Sequence, residues 1–140
     1  MEVQIFFLFL FDVILCHVYR DKGIKSPASR EGMDIGLVPS TYPEPFPLVP
    51  LEMMAAGLPV ITSDIGGFVE MIEQRKTGIM APVGDAAALA REIESLLDNP
   101  QSALEMGRAA RRSVEERFTW DRHVSGLLEI YSQIMKAPGK

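Results

Sequence analysis

Residues 48–63 read LVPLEMMAAGLPVITS. Leu48 to Ala56 are residues a helix accepts, and Gly57 suits the left-handed C′ position that ends one. Pro50 does not argue against the helix, because the N–H groups of a first turn have no intrahelical acceptor to lose. Residues 59–63 (PVITS) then turn β-branched and apolar, the composition of a buried strand. Upstream, residues 34–38 (DIGLV) form another short apolar run, closed by Pro39 and Ser40. Between the two runs lies 41–47 (TYPEPFP), whose three prolines in seven residues demand an extended loop. Strand, loop, helix, strand is the unit of a parallel sheet with a crossover helix.

The same alternation continues. Residues 64–67 (DIGG) read as a turn, 68–74 as a short helix and 77–82 (TGIMAP) as a third short strand. Asp85 is placed to cap a helix over 86–97, with Leu89, Ile93, Leu96 and Leu97 on one face. Asn99 and Pro100 suit the N-cap and first position of the next helix, through about Arg117. Thr119 can cap a last helix to about Met135, with Val124, Leu127, Leu128 and Tyr131 sharing a face. The expected class is α/β, about half of a doubly wound domain closed by three helices.

The first 32 residues differ in character. Residues 5–18 (IFFLFLFDVILCHV) are the most apolar stretch, shorter than the ~20 residues needed to span a bilayer and interrupted by Asp12. The chain opens Met1-Glu2 without the basic start or small-residue cleavage site of a signal peptide. A buried strand or a pair of strands is expected, with membrane association as the alternative. Residues 20–32 (RDKGIKSPASREG) read as a linker.

The chain has 140 residues, 47% hydrophobic and 24% charged, the balance of one globular domain. Such a domain buries only about two-thirds of its unfolded surface, and enclosing two substrates usually takes more chain. Net charge is −5 and no basic run occurs, so the electrostatic footprint of a nucleic-acid binder is missing. Arg108, Arg111 and Arg112 share their stretch with Glu105, Glu115 and Glu116, as on a solvated, ion-paired helix face. The single cysteine, Cys16, excludes an intrachain disulfide and favours a reducing, cytoplasmic compartment. His17 and His123 stand far apart and read as structural. No metal ligand set is recognisable.

In open α/β sheets, ligands bind beyond the carboxyl ends of the strands, where loops enter helix N-termini. The loop over 39–47 occupies that place. A helix N-terminus offers N–H groups and partial positive charge to an anion. Glu44 lies in this loop and Glu52 about one turn into the helix, an interval of order 12 Å were it all helical. Carboxylates accept hydrogen bonds from hydroxyls and repel phosphate, so two of them flanking an anion site fit a ligand ordered as hydroxyls, anion, hydroxyls. A sugar joined through a diphosphate to a ribose has that order. Spacing alone leaves open that Glu52 is an ordinary exposed helix residue.

Residues 44–61 (EPFPLVPLEMMAAGLPVI) resemble the E-x7-E segment of the group 1, or family 4, retaining glycosyltransferases of the GT-B fold. The resemblance runs on through 63–70 (SDIGGFVE), Thr77-Gly78, 82–85 (PVGD) and 118–120 (FTW). It covers residues 33–136, and leaves 1–32 as an unmatched apolar segment plus linker and 137–140 as a tail. It implies a partial Rossmann-like parallel sheet with crossover helices, from the C-terminal, donor-binding domain, followed by C-terminal helices. It also implies a nucleotide-diphosphate sugar as substrate and neither metal nor cofactor. Glu44 would be the catalytic position, touching hydroxyls of the donor sugar, and Glu52 would hold the ribose. Backbone around Phe46, Pro47, Leu48 and Val49 would cradle the diphosphate. In such enzymes the leaving phosphate itself receives the acceptor's proton. Asp64, Gly66 and Gly67 stay open between plain turn chemistry and lining the cleft. Met53 and Met54 read as packing, and Trp120 as a core or interdomain anchor, since the family's last helix crosses back to the N-terminal domain.

Two departures stand out. The family usually carries glycine where this chain has Pro47, and proline removes an N–H, a loss of about 1.5–3 kcal/mol if that donor meets a phosphate. The family's basic Arg and Lys pair has no counterpart in residues 1–32, where Lys22 and Lys25 lie in no comparable context. The expected function is therefore the donor-binding part of a transferase, inactive alone and dependent on an N-terminal GT-B domain or partner chain. A non-catalytic nucleotide-sugar-binding module and a truncated reading frame are the alternatives.

Overall fold

The structure, a computed structural model, describes the backbone of residues 3–10, 13–20 and 34–136 and the side chains of 34–136. Residues 21–32 of the expected linker and the tail 137–140 lie outside the described residues.

Five strands form one sheet in sequence order. The apolar N-terminal stretch makes a pair, β1 (Val3–Leu10) and β2 (Val13–Arg20), antiparallel to each other. β2 is also antiparallel to β3 (Ile35–Val38). From there the sheet is parallel: β4 (Val60–Ser63) sets Ile61 beside Leu37, and β5 (Ile79–Ala81) sets Ile79 beside Ile61.

The parallel strands are covered on both faces, which is why they read as continuous apolar runs rather than alternating ones. Side chains still alternate between faces with period two. Ile35, Leu37, Ile61, Ile79 and Ala81 meet α3 (Ala86–Asp98) through Leu96, with Leu89, Ile93 and Leu97 packed alongside. Val38 and Val60 face α1 (Leu48–Ala55) and α2 (Phe68–Met71), against Leu51, Met54, Phe68 and Met71. Met53 and Met54 are buried packing residues, as expected. α4 (Pro100–Arg117) serves both cores, giving Ala103 and Met106 to one and Ala110 to the other. It comes close to the end of α1 at Gly107, where a Cβ would run into the Gly57 carbonyl oxygen.

α1 ends in a Schellman motif. Gly57 has φ 81°, its N–H donates to the Met54 carbonyl (2.9 Å), and the Leu58 N–H donates to that of Met53 (3.1 Å). Asp85 caps α3 by accepting from the Ala88 N–H (2.8 Å), and Thr119 Oγ1 accepts from the Arg122 N–H (3.3 Å) at the start of α5 (Trp120–Lys136). Arg111 pairs with Glu115 on the solvated face of α4 (2.8 Å).

Four local expectations change. α2 stops at Met71 instead of 74, because Ile72 turns extended and the next residues are claimed by other partners. Thr77 Oγ1 accepts from the Glu73 N–H (2.9 Å), and the Gln74 side chain brackets the backbone of Met80, accepting at 2.6 Å and donating at 3.2 Å. That turn also delays β5 to Ile79. Asn99 sits at the N-cap of α4 without capping it; its Nδ2 donates back to the Ser95 carbonyl (2.9 Å). Trp120 is not a core residue: it is 80% exposed and meets the His123 ring edge-on, 5.8 Å between ring centres. Among the described residues, no helix is long and apolar enough to cross a membrane.

Candidate functional site

Three loops leave the carboxyl ends of the parallel strands, over residues 39–47, 64–67 and 82–85, and they are fastened to one another. In the first, buried Ser40 turns the chain by exchanging bonds with Tyr42, accepting from its N–H (3.3 Å) and donating to its carbonyl (3.2 Å). The second loop begins with Asp64. Its N–H donates to the Ala81 carbonyl (3.0 Å), and its Oδ1 accepts from the Val83 N–H (3.0 Å), which ties the second loop to the third. Asp64 thus has a definite structural task.

Gly66 and Gly67 tie the second loop to the first. The Gly67 N–H donates to the Glu44 carbonyl at 2.7 Å. A Cβ on Gly66, whose φ is 57°, would stand 2.7 Å from the Glu44 carbonyl oxygen and 2.8 Å from its nitrogen. A Cβ on Gly67 would collide with the Pro45 carbonyl oxygen. Two glycines in succession are what lets one backbone lie on the other.

Glu44 is half-buried, and its Oε1 is shut off from solvent with no hydrogen-bond partner among the described residues. An occluded carboxylate oxygen without a donor is costly, since burial removes its water and nothing replaces it. Pro47 is buried and extended (φ −72°, ψ 124°) as the residue before α1, the φ its ring imposes. The start of α1 has no side-chain cap and no acidic residue in its first turn, so the positive end of the helix is not offset there. Leu48 and Glu52 are exposed one turn apart on the outer face, while Val49 packs against the core. Phe46 is half-exposed, its ring 6.1 Å from that of Phe118. Glu44, Phe46, Pro47, Leu48, Val49 and Glu52 therefore share one loop and helix start, with Glu44 on the inner side of the loop and Glu52 on the outer side of the helix.

Two participants escaped sequence reasoning. Phe118 reaches the loop from the end of α4, and Arg117 lies 5.0 Å over the Phe118 ring while donating to the Glu70 carbonyl (2.8 Å). No periodicity marks that contact. The glycine pair was read as a turn or as cleft lining, and neither reading names the segment it packs against.

A separate hollow of about 300 Å³ is lined by Ile35, Gly57, Pro59, Leu96, Pro100 and Ala103 among others. These residues open β3, β4 and α4 and close α3, which puts the hollow at the amino end of the strands, opposite the three loops. Among the described residues, no three His, Cys, Asp or Glu side chains come together as a metal ligand set would.

A sequence model of the family "Glycosyl transferases group 1" matches residues 27–113. The chain is 40% identical over 98 residues to a glycogen synthase of Mycobacterium tuberculosis, covering 70% of this chain and 23% of that protein. It is 38% identical over 113 residues to a D-inositol 3-phosphate glycosyltransferase of Salinispora arenicola, covering 81% of this chain and 25% of that one. The chain thus spans about a quarter of the length of these relatives. Among solved structures it is similar to a sucrose-phosphate synthase from Thermosynechococcus elongatus, with TM-score 0.68, 37% identity, and coverage of 75% of this chain and 26% of that one. It is also similar to Anabaena HepE, solved in complex with UDP, with TM-score 0.68, 28% identity, and coverage of 71% and 28%. HepE has also been solved with UDP-glucose. The family match extends over more than half of the sequence, and its α/β sheet is shared with GT-B enzymes: the chain belongs to the group 1 glycosyl transferases.

Proposed function

We propose that this chain supplies the donor-binding part of a retaining glycosyltransferase that uses a nucleotide-diphosphate sugar. The observation that carries the reading is the occluded Oε1 of Glu44, without a partner among the described residues, beside a helix start with no side-chain cap. A sugar hydroxyl supplies the donor that Oε1 lacks, and a diphosphate supplies the anion that the start of α1 favours. Glu52, exposed on the outer side of the same helix, is the acceptor for ribose hydroxyls. The complexes of HepE with UDP and UDP-glucose make uridine diphosphate sugars the first ligands to try.

In this reading the helix start stabilises the diphosphate as it leaves, a fixed dipole aimed where negative charge grows. Glu44 orients the sugar and does not act as a general base; the departing phosphate takes the acceptor's proton. The acceptor's contacts come from an N-terminal GT-B domain or a partner chain. The single cysteine fits a cytoplasmic setting.

The test is calorimetric titration of the 140-residue chain with a panel of nucleotide sugars. Binding of at least one is expected. Glu44→Gln should weaken it about tenfold or more, the loss of a charge-assisted hydrogen bond. Folded protein that gives no heat with any donor rules the reading out.

A further inference from the structure

We infer that the Gly66-Gly67 turn is a positioning element for Glu44 and so sets the grip on the sugar half of the donor rather than on its nucleotide half. The inference rests on the reading of the site proposed above.

The loop over residues 39–47 crosses the carboxyl ends of the strands, buried at Ser40 and Pro47 and exposed for most of the stretch between. Tyr42, Pro43, Pro45 and Phe46 are all exposed. Its one backbone bond to the neighbouring loop is the 2.7 Å donation from Gly67 to the Glu44 carbonyl. A Cβ on Gly66 would meet the nitrogen and carbonyl oxygen of the same residue and the Pro43 Cα, and one on Gly67 would meet the carbonyls of Pro45 and Glu44. These approaches centre on Glu44 and the prolines on either side of it, and Glu44 is the residue whose carboxylate oxygen is occluded without a donor among the described residues. The turn is itself fixed at its other end, through Asp64 to Ala81 and Val83. The position of Glu44 is therefore handed down from β5 through Asp64 and the glycine pair.

The nucleotide half is held differently. The first turn of α1 is anchored by Pro50 and Leu51, both buried. Moving the Glu44 backbone leaves those anchors in place. Displacing the turn should then misplace the sugar's partner while the diphosphate keeps the amides of Leu48 and Val49, which lie in the anchored turn.

The experiment compares UDP-glucose with UDP by calorimetry on the full chain, for the wild type, Gly67→Ala, Gly66→Asn and Glu44→Gln. Gly66→Asn complements Gly67→Ala because asparagine tolerates a left-handed φ, so the added Cβ acts mainly through its contact with Glu44. Both glycine variants should lose about tenfold or more in affinity for UDP-glucose and change less than about threefold for UDP. Combining Gly66→Asn with Glu44→Gln should add little to Glu44→Gln alone, since both act through one carboxylate. Equal losses for the two ligands, or no loss for either, would overturn the inference while leaving the site reading intact. Glycine variants that fail to fold, judged by circular dichroism, also count against it, because the turn would then be a folding element. A wild type that binds neither ligand takes down the site reading, and this inference with it.

Discussion

At the scale of single residues, the side chains that matter act over short distances and can be tested one at a time. Asp85 accepts one bond at the start of α3, so Asp85→Ala should cost about 1 kcal/mol in urea denaturation. Pro47 stands where the resemblance leads one to expect glycine. Pro47→Gly restores an N–H beside the start of α1 and should tighten UDP-glucose binding by about tenfold in calorimetry, at some cost in stability from the lost buried ring. Glu73 offers a pH test. Lys76, through its 2.6 Å hydrogen bond and its charge, holds the Glu73 carboxyl below the ordinary carboxylate range, and Arg117 adds to the effect. A lowered folded value means that the pair's small contribution is present above the ordinary glutamate range and fades as pH falls through the lowered midpoint. NMR titration should show that midpoint rising toward the ordinary value in Lys76→Ala.

At the scale of elements, much of the molecule was legible because local chemistry and tertiary packing agree. The helix over 48–56 could be read because Gly57 must take a left-handed φ, and it does. The Gly57 Cα faces open space, so Gly57→Ala isolates the backbone cost, expected at about 1–2 kcal/mol by chemical denaturation. α3 was legible for the same reason: one cap and one apolar stripe. The end of α2 was not. Nothing local to 72–77 says that the Gln74 amide will bracket Met80, and that contact decides where the helix stops. The candidate site was half-legible. Its residues lie in one short stretch, so their order could be read, but the partner of the loop, Gly66-Gly67, comes from the next strand's end and needed the fold. Phe118 stood in a motif of the resemblance, but its contact with Phe46, and that of Arg117 with its ring, needed the far end of α4 in place.

At the scale of the whole molecule, stability and binding are drawn from different places. The sheet and its helices share two continuous cores, and Leu96 is nearly fully buried in one of them. Leu96→Ala should cost about 2–5 kcal/mol, whereas Leu128→Ala, at an exposed position of α5, should stay within about 0.5 kcal/mol; urea melts of the two decide this. The amphipathic pattern of α5 was visible in the sequence, but a pattern tells which face is apolar and not what covers it. Among the described residues none in α5 is buried. A helix of this length draws most of its persistence from packing, and without it stands near its own melting point. Its amide protons should therefore trade with deuterated water by local opening, orders of magnitude ahead of those in β3, β4 and β5, which are released only when the whole domain comes apart.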